Sequence, residues 1–297
     1  MSNNYQIHEY LPNTERHYIA KGNALQEEGM YKEAVAEYQQ AIALDPNNGD
    51  VHFNLGNALK ELDMEDEAIA EYQKAIRLNP NDADAHFNLG NIFRENCLWQ
   101  EAIQEFRAAS QANPKSCDAY INLALVLANS KQLEEAMRVY KKAIKLCPSS
   151  FNAHYNLAKL LESGPRRNEA ISLYKKAINL QASSIDLSDA HHFLGLALQS
   201  SDRLDEAVKE YKNALELNPA SYEAHINLGT ALHDLGLLDA AIEEYLEGAN
   251  LVPGSVYLRS DLAQAYDNIA SAFIDKGMIE EAEEYKGLAK KIRQDNS

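Results

Sequence analysis

Five asparagines recur in this chain in one local setting. Asn54, Asn88, Asn122 and Asn156 stand at one fixed interval, each directly before a leucine, and Asn227 repeats the arrangement further on. Asparagine is a mediocre helix former, so its return inside a helix-patterned stretch needs a cause. Its carboxamide carries an acceptor oxygen and an amide that donates, the same pair of groups that a peptide bond presents. A row of them on the order of 10 Å apart, about one helix-packing distance, could hold an extended chain by its backbone. Asn57 and Asn91, the second asparagines of two NLGN sequences, extend the row. Arg94 and Lys159 follow on the same stripes and would favour an acidic ligand residue. At His192-Phe193 an aromatic takes the asparagine's place. The sequence therefore predicts a backbone-gripping groove from Asn54 to Asn156 and a side-chain pocket near His192 and Phe193. Two plainer readings compete: the asparagines bond to a neighbouring helix, and Phe193 packs on Ile185 or Leu187.

Other residues with chemical potential resolve into packing. His52, His86, His154, His191 and His225 recur at one position, which points to a repeated core slot rather than to metal, and His191-His192 lacks a third ligand at helical spacing. Tyr38, Tyr72, Tyr140, Tyr174, Tyr211 and Tyr245 share a second slot. Trp99 falls beside a turn. No phosphate-cradling glycine loop, nucleophile elbow or paired-carboxylate motif is present. The expectation is no enzyme, no cofactor and no metal.

These residues sit on elements that repeat. Asp50 to Pro80 and Asp84 to Pro114 are identical at 15 of 31 aligned positions. Pro12, Pro46, Pro80, Pro114 and Pro148 are each 34 apart, as are Pro219 and Pro253. Within one unit Leu55, Gly56 and Leu59 mark one helical face, and Ala68, Tyr72, Ala75 and Ile76 another. Small residues at Gly56 and Ala68 let two helices approach, with Tyr72 between them. Asn-Pro ends the second helix, because the residue before proline is pushed out of the helical region. Asn81 and Asp82 supply cap oxygens for the next helix. Such a hairpin is apolar on two sides and must stack on its neighbours. Repeats are placed at about 14–47, 48–81, 82–115, 116–149, 150–184, 188–221, 222–254 and 255–292, between an arm at 1–13 and a polar tail at 293–297. Ser255–Lys276 reads as one long helix. Ile185-Asp186-Leu187 is an insertion that lengthens the linker before repeat six and predicts a mobile seam there.

Charge bounds the partners. The net charge is −17, which argues against nucleic acid and anionic membrane surfaces. Residues 1–80 carry 14 acids and 6 bases, 81–200 carry 12 and 13, and 201–297 carry 19 and 9, so both ends are acidic and the middle is not. No apolar run is long enough to span a membrane, and the start has no signal-peptide core. Cys97, Cys117 and Cys147 form no CxxC pair, which points to a reducing, cytoplasmic setting.

A helical period of about 34 residues with these packing positions resembles the tetratricopeptide family. The resemblance implies an all-α, right-handed superhelix (an α-solenoid) of about eight helix-turn-helix repeats, with the asparagine position facing a concave groove. The NLGN and NLA sequences are similar to the superhelical repeats of the O-linked N-acetylglucosamine transferases, whose groove asparagines hold peptide backbone. No catalytic region accompanies them here. A carboxylate clamp of the kind that binds chaperone C-termini fits at Asn23 and Asn54. It fails at Ile19, Asp84 and Asn88, where cations are needed. The function expected is a non-catalytic scaffold, a monomer or small dimer, binding a protein or peptide segment in its groove. The alternative is a structural scaffold that assembles through arms and convex faces. More distant is the substrate-recognition region of a larger glycosyltransferase.

Overall fold

The structure, a computed structural model, describes residues 14–251 and 259–294. The arm at 1–13 and residues 255–258 of the long helix expected after Pro253 lie outside the described residues. The chain divides into two compact units, Met1–Leu146 and Cys147–Ser297. In the first, α1 (Glu15–Glu27), α2 (Tyr31–Leu44), α3 (Gly49–Lys60), α4 (Glu65–Leu78), α5 (Ala83–Glu95), α6 (Trp99–Ala112), α7 (Cys117–Asn129) and α8 (Leu133–Leu146) form four hairpins. In the second, α9 (Phe151–Leu161), α10 (Arg167–Ile178), α11 (Ser184–Gln199), α12 (Leu204–Leu217), α13 (Tyr222–Asp234), α14 (Leu238–Leu251), α15 (Arg259–Asp275) and α16 (Ile279–Gln294) form four more. Within each unit every hairpin packs its second helix against the first helix of the next. The fold is an all-α solenoid. Among the described residues no helix is long and apolar enough to cross a membrane.

Local chemistry sets the ends of these helices. The residues before Pro46, Pro80, Pro114 and Pro219 leave the helical region, with φ between −139° and −122°, because the proline ring crowds a helical predecessor. First helices then start on side-chain caps: Asn48, Asp82, Ser116, Ser150, Ser183 and Ser221 each accept a bond from an N–H of the first turn. The turn inside most hairpins uses one left-handed residue. It is glycine at Gly29, Gly236 and Gly277, but Asp63, Cys97, Lys131 and Asp202 adopt the same conformation at φ 57° to 66°. The last helix runs through Gln294, so Arg293 is not in a tail; it closes the final hairpin by pairing with Asp267.

The insertion at Ile185-Asp186-Leu187 is not in the linker, contrary to the expectation of a loosened seam. It forms the first turn of α11, capped by Ser183, whose hydroxyl accepts from the Asp186 N–H at 3.1 Å. Leu187 packs on the cluster around Phe151, Ala177 and Ala190, while Ile185 is exposed to solvent. Helix formation satisfies the added backbone groups internally, which a longer loop would leave to water.

Two contacts join the helices of a hairpin. The first is tyrosine on glycine: a Cβ at Gly56 would lie 2.8 Å from the Tyr72 ring, and Gly22, Gly195 and Gly229 meet Tyr38, Tyr211 and Tyr245 at 2.6–2.7 Å. The second is ionic and was hidden in the histidine slot. His52, His86, His191 and His225 place Nδ1 2.6–2.7 Å from Glu71, Glu105, Glu210 and Glu244, always at the same sequence separation. In three of them Nε2 also reaches the carbonyl of the preceding stop proline, Pro46, Pro80 or Pro219, at 3.0–3.3 Å. A carbonyl only accepts, so Nε2 carries a proton there, and the ring ties the loop to the second helix.

Both contacts can be tested through stability. Gly56→Ala gains about 1 kcal/mol of helix propensity and loses about 1–3 kcal/mol by overpacking Tyr72, so urea midpoints should show no stabilisation. Gly287→Ala, on α16 with nothing within 4 Å of the added Cβ, should stabilise by about 1 kcal/mol. The hydrogen bond that His86 donates to Glu105 holds the imidazole above its ordinary value against the opposing effect of burial, with Pro80 and Asp82 helping. A raised folded pKa contributes stability that is complete below the ordinary histidine value and is lost as pH rises through the folded value. Glu105→Gln should therefore lower the urea midpoint more at pH 6 than at pH 8.

Candidate functional site

In the first unit, Asn54, Asn57 and Asn88 come together. They line a cleft of about 620 Å³ with Asn23, Gln26, Glu27, Tyr31, Tyr38, Lys60 and Glu61. The first helices α1, α3 and α5 supply most of this wall, and each asparagine stands one position from a buried leucine or glycine that fixes its helix face. Asn54 Nδ2 donates to Asn23 Oδ1 at 3.3 Å, and Asn88 Nδ2 to Asn57 Oδ1 at 2.8 Å. The buried tyrosines join the same groups: Tyr38 donates to Asn23 Oδ1 at 2.8 Å and to Gln26 at 3.0 Å, and Tyr72 donates to Asn57 Oδ1 at 2.7 Å. Each carboxamide is thus steered by one N–H. Among the described residues no donor meets Oδ1 of Asn54 or Asn88, which leaves an acceptor at the cleft on each, while Asn88 also bonds to the Tyr72 hydroxyl.

The remaining expected residues fall elsewhere. Asn91 and Arg94 lie on α5; the Arg94 guanidinium reaches Glu95 at 3.2 Å and Asn91 at 3.5 Å. Repeat three has Phe106 in the tyrosine slot, so no hydroxyl orients Asn91. Asn122 turns back to its own helix and donates to the Asp118 carbonyl at 3.0 Å. Asn156 is half-buried on α9 in the second unit.

Around Phe193 the second unit is filled, not open. Its ring lies 6.1 Å from Tyr155, 6.5 Å from Tyr174 and 5.2 Å from His192, centroid to centroid, and the Lys159 ammonium sits 4.5 Å above it. Phe193 therefore packs on Tyr155, Tyr174 and Lys159. Lys159 is held over two rings, at 5.7 Å from Tyr155 as well. Burial pushes His192 below its ordinary value, against the pull of Glu223 and Asp189. Its neutral Nε2 accepts from Asn227 Nδ2 at 2.8 Å.

Two features were missed in the sequence, and each had a signal. The tyrosine hydroxyls meet a polar residue 15 or 12 positions earlier: Asn23 and Gln26, Asn57, Glu162, Gln199 or Thr230. The glutamate that follows each of these histidines on the second helix is equally periodic.

Family models for the tetratricopeptide repeat match residues 22–63, 66–96 and 128–163 (TPR repeat), 194–255 (Tetratricopeptide repeat), and 151–184 and 263–296 (Tetratricopeptide repeat). No curated protein matches the chain. Among solved structures the fold resembles that of YrrB, described as a TPR protein with an unusual peptide-binding site. That likeness has 21% identity and a TM-score of 0.56, and covers 63% of this chain and 95% of YrrB. PilF of Pseudomonas aeruginosa is similar at 22% identity and a TM-score of 0.59, over 71% of this chain and 94% of that one. MamA is similar at 27% identity and a TM-score of 0.51, over 57% and 93%. With the helices of the described residues paired in this way and repeat models matched along most of its length, the chain belongs to the tetratricopeptide repeat family.

Proposed function

We propose that the chain is a non-catalytic protein-interaction scaffold that holds an extended peptide in the cleft of its first unit. The observation that carries this reading is the pair Asn54 and Asn88, each steered through one N–H and presenting its acceptor oxygen to the cleft. A peptide N–H donates to Oδ1, and at Asn54 the remaining amide N–H donates to the next peptide carbonyl. Because Tyr38 and Tyr72 hold the acceptors Asn23 and Asn57 in place, little ordering is left for the ligand to impose, and preorganisation of this kind favours affinity. The described peptide site of YrrB and the likeness of the NLGN sequences to the glycosyltransferase repeats support the same class. Asn122, Asn91, Arg94, Lys159 and the His192–Phe193 cluster are engaged within the protein in this reading. Cys97, Cys117 and Cys147 form no disulfide with one another, which accords with a reducing, cytoplasmic compartment.

Peptides selected by display against the wild-type chain test the groove. Asn54→Ala with Asn88→Ala should leave helix content unchanged and weaken their binding by about 0.5–1.5 kcal/mol for each hydrogen bond lost, as measured by calorimetry. Equal affinity for wild type and double variant would assign both asparagines to structure alone. Tyr72→Phe should weaken binding less, by freeing Asn57 without removing a contact.

A second reading, self-assembly, is favoured by one observation. Met30, Met64, Leu98 and Leu133, at or beside the turns within the hairpins, are 39–45% exposed. Light scattering after size exclusion separates the two: the scaffold reading expects a monomer or small dimer, and large assemblies independent of concentration would replace it.

A further inference from the structure

Repeat five breaks the histidine–glutamate pattern in a way that leaves a site open. In repeat two, Glu71 lies between two nitrogen groups: one oxygen is 2.6 Å from His52 Nδ1, the other 2.6 Å from Lys74 Nζ. In repeat six, Glu210 lies between His191 at 2.6 Å and Asn213 at 3.3 Å. The corresponding residues of repeat five are His154, Leu173 and Lys176. The flanking groups are kept, and the carboxylate is replaced by a buried leucine that cannot accept a hydrogen bond.

His154 and Lys176 also border a hollow of about 590 Å³ in the second unit, together with Lys175 and apolar Ile171 and Leu180. No carboxylate is among its lining residues. His154 is 5% exposed. Its Nδ1 donates to the Ser150 carbonyl at 2.9 Å, and among the described residues nothing meets Nε2. Lys176 is exposed, and among the described residues no carboxylate pairs with it. Lys175 stands 3.5 Å from Glu206, with both side chains nearly half exposed; such a pair is worth little and is easily exchanged. Repeat five as a whole, residues 150–184, carries five bases (Lys159, Arg166, Arg167, Lys175, Lys176) and two acids (Glu162, Glu169) in a chain of net charge −17.

We propose that this hollow binds an acidic side chain of a partner peptide, whose carboxylate lies between His154 and Lys176. The incoming carboxylate accepts from the Lys176 ammonium beside the His154 ring. One carboxylate fills only a small part of the space. Ile171 and Leu180 form an apolar wall beside it, so the segment that fits has an aliphatic residue next to the acidic one. The site lies on the second helix of its hairpin, α10, and uses none of the groove asparagines, so the two can fail separately.

The test uses the full chain and two fluorescent probe peptides at low salt, one alternating leucine with glutamate and the other leucine with glutamine. Wild type should bind the glutamate peptide at least about tenfold more tightly, the scale of one charge-assisted hydrogen bond. Leu173→Glu restores the internal carboxylate that repeats two, three, six and seven possess. It should keep the melting temperature and remove that preference. Lys176→Gln, at an exposed position that does not endanger folding, should weaken the glutamate peptide several-fold, and Asn54→Ala with Asn88→Ala should leave it unchanged. Binding should also shift the His154 ring resonances. The proposal is overturned by equal binding of the two peptides, by Lys176→Gln binding as wild type does, or by dependence on Asn54 and Asn88. Saturation of the His154 shift by free glutarate with no peptide effect would mark a small-anion site and overturn the peptide assignment.

Discussion

A helical hairpin with an apolar residue on each side can bury only one side by itself, and every other feature of this chain follows from how the second is covered. The tyrosine slot carries most of that burden. Tyr38, Tyr72, Tyr140, Tyr174, Tyr211 and Tyr245 are at most 1% exposed, and burying rings of that size contributes on the order of 2–3 kcal/mol each. The ring fits because the opposite helix offers glycine or alanine. Five repeats have glycine there. Ala124 and Ala158 serve in repeats four and five, whose rings must stand back by about a methyl group.

A buried tyrosine also brings a hydroxyl that must be satisfied, and this requirement links the core to the cleft. Tyr38 and Tyr72 satisfy it with Asn23 and Asn57, which in turn receive the carboxamides of Asn54 and Asn88 from the next repeat. Asn54 and Asn88 are therefore structural and accessible at once: one N–H of each is spent inside the protein, and no donor meets the oxygen. Where the ring has no hydroxyl, as at Phe106, the chain of bonds stops and Asn122 turns to its own helix. The histidine–glutamate pairs do the same work on the other helix, tying the stop-proline loop to the hairpin through both ring nitrogens.

Departures from the repeat are tolerated where they do not shift the phase of packed positions. Three added residues at the start of α11 lie before Leu194, Gly195 and Leu198, so the spacing among those residues is unchanged and the helix simply begins a turn earlier. Phe193, in place of an asparagine, is absorbed by Tyr155, Tyr174 and the Lys159 ammonium. Leu173, in place of a glutamate, is different, because it removes a charge without supplying a partner for the groups that remain.

The periodicity of prolines, small residues and tyrosines was enough to place eight hairpins, since each repeat buries the same positions for the same steric reason and the pattern returns at one fixed interval. The asparagine row was legible for the same cause. Partners across helices were not. A hydrogen bond that spans two helices or two repeats depends on how their faces turn toward each other, and one-dimensional spacing carries no direction. So the histidines read as plain packing until their rings were found between glutamate and proline carbonyl. The insertion read as a loose linker until its backbone proved to satisfy itself as helix. Residue type and period determined the architecture; which carboxamide is held, which ring is covered and which charge is left unmatched were decided only by tertiary contact, because those depend on direction and distance between separate elements.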